Sequence, residues 1–174
     1  MRVVMSGKAV ARLALVAAAM LLSVELAHAA SVVVALGASQ TYGRGVARSE
    51  AYPAQLEALL RAKGRNVRVI NAGINGDTTG GMMRRLGAVP NGTAVVILQP
   101  GGNDRRTGRE DDRAGNVAAI ESRLAARGIK VITLENGMFH SLPHQPDGQH
   151  LTPEGYRMLA QAIEGQVEAA LGGR

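Results

Sequence analysis

Residues able to carry out acyl chemistry stand near both ends of this chain. Gly37-Ala38-Ser39-Gln40-Thr41-Tyr42-Gly43 follows directly on the apolar run Val32-Val33-Val34-Ala35-Leu36, and Asp147-Gly148-Gln149-His150 lies just before a C-terminal helical segment. A serine hydroxyl is a weak nucleophile that needs a base within hydrogen-bond reach and a group to orient that base. His150 can be the base and Asp147 the orienter, because on a turn the carboxylate reaches one ring nitrogen while the other faces Ser39. Taken singly, a strand-exit serine is more often a helix cap, and Asp-x-x-His is a common coincidence. Here the two occur together in a chain with four histidines. A developing oxyanion also needs donors aimed at it. Asn71-Ala72-Gly73-Ile74-Asn75-Gly76-Asp77-Thr78-Thr79 has glycines that let backbone N–H groups approach a ligand. Asn103, in Gly101-Gly102-Asn103-Asp104, offers a side-chain amide. A tight turn and a loop hydrogen bond are the plain alternatives for these two stretches.

The elements that must position these groups alternate along the chain. Ser31–Leu36 is apolar without polar alternation, as in a strand buried on both faces of a parallel sheet. Val67–Ile70, Ala94–Leu98 and Lys130–Leu134 read as three further strands. Helices are predicted over Ser49–Lys63, with Ser49 as cap and Gly64 as stop, over Thr78–Leu86, over Arg109–Arg127, and over Thr152–Leu171. Asn136–Gln149 is the one long irregular stretch. Strands alternating with helices imply right-handed crossovers and a parallel sheet covered on both faces, whose ligands bind beyond the carboxyl ends of the strands. The polar blocks follow strands at that edge.

Composition narrows the function classes. Arg2, Lys8 and Arg12, the apolar run Leu13–Leu22 and Ala27-His28-Ala29 have the order of a secretory signal peptide, and the apolar run is too short to serve as a bilayer-spanning anchor. Cleavage after Ala29 leaves one domain of 145 residues, 30–174, in the periplasm or outside the cell and without a membrane anchor. The removed segment carries three basic residues and Glu25, so the net charge falls from +6 to +4. That excess reads as a solvated basic surface and not as a nucleic-acid site, since tryptophan is absent and only Phe139 and three tyrosines offer stacking surface. Cysteine is absent, which excludes disulfides and thiol chemistry. His140, His144, Asp147 and His150 match no standard zinc spacing. Neither a Walker motif nor G-x-G-x-x-G follows any strand, and the serine is not in a G-x-S-x-G elbow.

With the four blocks in this order, the chain resembles the GDSL, or SGNH, family of serine hydrolases, in particular its small bacterial thioesterase–lysophospholipase and arylesterase members. The resemblance implies a flavodoxin-like three-layer α/β/α fold and a serine esterase acting on short-to-medium acyl esters or thioesters, with no metal or other cofactor and a small-molecule ester as partner. It implies Ser39 as nucleophile, His150 and Asp147 as base and acid, and an oxyanion hole from the Ser39 and Gly76 backbone N–H groups and the Asn103 side chain. Two departures stand out. Ala38 replaces the aspartate that usually precedes the serine, and only Asn136–Pro146 fills a gap where the family usually has a further helix and strand. A sheet of four strands, five at most, in the order 2-1-3-4 is therefore expected. Arg105 and Arg106, beside Asn103, are candidates to bind a substrate carboxylate or phosphate, or belong to a solvated loop. The competing readings are a non-catalytic binding protein on a decayed hydrolase scaffold and an esterase of acetylated sugars.

Overall fold

The computed structural model describes residues 29–172, so the signal-peptide expectation falls almost wholly outside the described residues. Four strands, β1 (Ser31–Gly37), β2 (Val67–Gly73), β3 (Thr93–Gln99) and β4 (Lys130–Thr133), form one sheet in the order β2-β1-β3-β4. Every neighbouring pair is parallel. Between and after the strands run α1 (Ser39–Tyr42), α2 (Tyr52–Ala62), α3 (Thr79–Arg84), α4 (Asn103–Arg106), α5 (Glu110–Ala125), α6 (Gly137–His140) and α7 (Pro153–Gly172).

The apolar runs of β1 and β3 are explained by the two layers that cover them. Side chains alternate across a strand. Val33 and Ala35 of β1 therefore join Val95 and Ile97 in one core with Tyr52, Leu56 and Leu60 of α2 and Tyr156, Leu159 and Ile163 of α7. Val34, Leu36, Val96 and Leu98 face the other way, onto Met82, Leu86, Ile120 and Leu124 beneath α3 and α5. The result is the expected α/β/α sandwich. Gly37 at the end of β1 is level with Gly73 of β2 and Gln99 of β3, so the loops leaving all three strands start from one edge.

Several boundaries differ from the sequence expectation. β2 continues three residues past Ile70, because Asn71-Ala72-Gly73 pair in register with Ala35-Leu36-Gly37. The first part of the glycine-containing block is thus strand, and a Cβ at Gly73 would overlap the backbone at Thr41 and Tyr42. The second helix begins at Tyr52 with Ala51, not Ser49, at the cap position. The stretch 136–149 is not wholly irregular: it contains the single turn α6, which turns Phe139 inward.

Candidate active site

β1 delivers Ala38 and Ser39 to the carboxyl edge, where the chain turns at once into α1. The turn is closed by Tyr42 N donating to Ala38 O at 2.9 Å. Gln99, at the end of β3, fixes it from beneath: its Oε1 accepts from Ala38 N at 3.1 Å and from the Thr41 hydroxyl at 3.3 Å. Ala38 is buried in the apolar core beside Leu36, Met82 and Leu98. The turn thus keeps a polar anchor although an alanine precedes the serine, and that anchor comes from the neighbouring strand.

Ser39 Oγ lies 3.0 Å from His150 Nε2, and His150 Nδ1 lies 2.6 Å from Asp147 Oδ2. With a proton on Nδ1 donated to Asp147, Nε2 is free to accept from the serine hydroxyl. The other Asp147 oxygen accepts from the backbone N–H groups of Gln149 and His150, both at 2.9 Å. The hydrogen bond from the His150 ring, followed by these two backbone donors, holds the Asp147 carboxyl well below the usual carboxylate range. Ser39 and His150 are buried, whereas the Asp147 side chain is about half exposed (48%).

Residues absent from the sequence expectation lock this loop. Gln145 N donates to His150 O at 2.7 Å, while Gln145 Nε2 donates to Leu151 O at 2.7 Å and Arg44 O at 2.8 Å. Gln40, next to Ser39, donates from Nε2 to Gln149 O at 2.6 Å and accepts at Oε1 from the Tyr156 hydroxyl at 3.0 Å. Burial, reinforced by the Asp147 charge, keeps Tyr156 protonated and able to donate. The serine turn and the histidine loop, 111 residues apart, are therefore tied together on both sides of the Ser39–His150 contact.

The amide block is held with similar economy. Asn103 opens α4 and donates one Nδ2 hydrogen to Asp77 O at 2.8 Å, which leaves the second available to a ligand. The turn 74–77 places Gly76 at an exposed apex with φ of 77°, a conformation that favours glycine. Asp104, buried, accepts from Thr79 Oγ1 at 2.7 Å and from Thr79 N at 3.1 and 3.2 Å. Arg85 donates to Gly37 O at 3.0 Å, Ala72 O at 2.7 Å and Asp77 Oδ2 at 2.8 Å, fastening the ends of β1 and β2 to that turn. The Ser39 backbone N–H has no acceptor among the described residues.

A cleft of about 300 Å³ opens beside Ser39. Ser39, Gln99, Asn103, Arg105, Arg106 and Phe139 are among the residues lining it. Gly76 stands outside this lining, linked to it through Asp77 and Asn103. His140 and His144 lie on the cleft wall, but among the described residues no three acidic or imidazole groups converge as a metal site would require.

A profile of the GDSL-like lipase/acylhydrolase family matches residues 35–170. The chain belongs to that family. Among family relatives, it is 33% identical over 109 residues to esterase TesA of Pseudomonas aeruginosa, a match covering 61% of this chain and 54% of TesA. It thus spans about half the length of that curated relative. A crystal structure of TesA superposes with a TM-score of 0.71 at 22% identity, covering 80% of this chain and 99% of the other, which establishes the shared fold. The SGNH-hydrolase family esterase AlinE4 is 28% identical, with a TM-score of 0.56 over 80% of this chain and 73% of its own.

Proposed function

We propose that this member of the GDSL-like family is a serine hydrolase of carboxylic esters or thioesters that works through an acyl-enzyme. The observation that carries the proposal is the continuous hydrogen-bonded run from Ser39 Oγ through both nitrogens of His150 to Asp147. Ser39 Oγ attacks the acyl carbonyl carbon while His150 Nε2 takes its proton, and ionised Asp147 holds and stabilises the resulting imidazolium. The tetrahedral oxyanion is met by the Ser39 N–H, the second N–H of Asn103 and the Gly76 N–H. His150 then returns its proton to the leaving alcohol or thiol, and water attacks the acyl-enzyme with His150 as base. No step in this scheme calls for a cofactor. Relatives named as esterases, TesA and AlinE4, support the same reaction class.

A cleft of about 300 Å³ is at the small end of ligand sites, which favours short-to-medium acyl groups. Phe139 gives it one apolar wall, enough for a few methylenes at ~0.8 kcal/mol each but not for a long chain. We place the reaction outside the cytoplasm, on the pattern of Arg2 to Ala29. The test is a series of p-nitrophenyl esters from acetyl to dodecanoyl, run on the wild type and on Ser39→Ala. The proposal expects the highest kcat/KM between acetyl and hexanoyl and a loss of several orders of magnitude in the folded variant. A steady climb to dodecanoyl would overturn the short-acyl preference. Absence of turnover with every ester would leave the fold to a binding role.

A further inference from the structure

The cleft beside Ser39 has an uneven charge. Arg105, Arg106, His140 and His144 all line it, and no aspartate or glutamate does. Asp104 accepts from Thr79, Asp77 pairs with Arg85 and Asp147 with His150. The acidic first turn of α5, Glu110 to Asp112, forms no ion pair with either arginine. The Arg105 side chain has no hydrogen-bond or ionic partner among the described residues, and the bond found for the Arg106 side chain is a long one, 3.4 Å, to Asn103 Oδ1. Arg113 adds a further guanidinium behind the wall, donating to Gly101 O at 3.2 Å. Guanidinium groups present planar forks that match carboxylate and phosphate oxygens, and both imidazoles carry at least one N–H whatever their charge. A concave site lined by one sign of charge also concentrates ligands of the other sign.

We infer that the ester this site is built for carries an anionic group, a carboxylate or a phosphate, within reach of Arg105 and Arg106 when its carbonyl sits against Ser39 and Asn103. The inference rests on the esterase reading and names its substrate class. Both arginines come from the four-residue α4 that also presents Asn103, so the anion and the oxyanion are held by one turn. Binding the anion there fixes the carbonyl against its donors.

Two matched pairs of alkyl esters test this and distinguish an anion on the alcohol side from one on the acyl side. The first pair is 1-butyrylglycerol and 1-butyrylglycerol 3-phosphate; the second is ethyl hexanoate and monoethyl adipate. Released acid is measured for the full-length protein at low salt and at 0.5 M NaCl. In at least one pair the anionic ester should have the higher kcat/KM, by about tenfold for contacts to two exposed guanidinium groups. The preference should shrink at high salt. The ratio of anionic to neutral kcat/KM should fall toward one in Arg105→Gln and in the Arg105→Gln/Arg106→Gln double variant, whose folding is checked by thermal melting. If neutral esters are hydrolysed and neither anionic ester is preferred, the inference fails while the esterase reading stands. A preference that persists in the double variant also overturns it. No turnover of any of the four esters would overturn both.

Discussion

Replacing Gln99 by methionine should damage both stability and rate, because one oxygen holds the backbone that carries the nucleophile. Gln99 Oε1 accepts from Ala38 N and from Thr41 Oγ1. Methionine keeps the length and apolar fit but provides no comparable acceptor. The Thr41 hydroxyl retains a partner in Tyr52 at 3.3 Å, whereas Ala38 N, in a residue only 2% exposed, is left without one. Leaving one buried donor unsatisfied costs ~1–3 kcal/mol, and the lost hydroxyl bond adds about 1 kcal/mol. A total of roughly 3 kcal/mol corresponds to a fall in Tm of about 6–12 °C for a domain of this size. The rate should fall as well, because the Ala38–Ser39 peptide sets the direction of the Ser39 N–H; a tenfold or greater loss in kcat is expected. Thr41→Val is the control, since it removes the hydroxyl bonds but leaves Ala38 N paired. Thermal melting and ester kinetics on the two variants decide the matter. If Gln99→Met melts within 2 °C of wild type at unchanged kcat, or if Thr41→Val is equally impaired in kcat, the Ala38 anchor is not what positions the serine.

Other perturbations test other parts of the site. Asn103→Ala should lower kcat by ~10²–10³ with a smaller change in KM, and a change in KM alone would reassign the residue to substrate binding. Ala38→Asp places a carboxylate in the apolar core, so it should lower Tm and leave activity no better; a hundredfold gain in activity would show that the natural chain is catalytically impaired. Asp104→Ala leaves Thr79 N and Oγ1 short of an acceptor and should cost ~2–4 kcal/mol in chemical denaturation, with kcat falling as the turn holding Asn103 loosens; unchanged stability would contradict the buried role of the carboxylate. The Asp147 carboxyl is held below its ordinary value, so its stabilising contribution is present above about pH 4 and is lost as pH falls below that. The stability difference between wild type and Asp147→Asn should therefore shrink as pH falls below about 4, and a difference that grows over that range would refute the assignment.

The sheet was legible because its two central strands are buried on both faces: Val32 to Leu36 and Ala94 to Leu98 carry no polar interruption, and the short segment after β4 limited the strand number. The ends of elements were harder to read. Asn71-Ala72-Gly73 has the composition of a loop, yet its ladder with β1 makes it strand, a pairing that only the neighbouring chain reveals. At the site, residue type pointed to Ser39 and Asn103 after strands and to Asp147 and His150 before the last helix, and the structure brings Ser39, His150 and Asp147 into one hydrogen-bonded run. Gln40, Gln99, Gln145 and Arg85 were invisible for a common reason. Each is a long polar side chain of a kind usually found on surfaces, and its importance comes from a partner 48 to 109 residues away, such as Gly37 for Arg85 or Gln149 for Gln40. A polar residue closing an apolar run, as Gln99 does after Ala94 to Leu98 in β3, was the one local signal on offer.

The central claim is that Ser39 is a nucleophile activated by His150. Its most direct test is the intact mass of the protein after exposure to a p-nitrophenyl alkylphosphonate, followed by peptide mapping. A single adduct on Ser39, formed with release of p-nitrophenol and at least a hundredfold more slowly in folded His150→Ala, is the predicted result. An unmodified Ser39 in protein that still hydrolyses esters, or labelling at equal rate without His150, would contradict it.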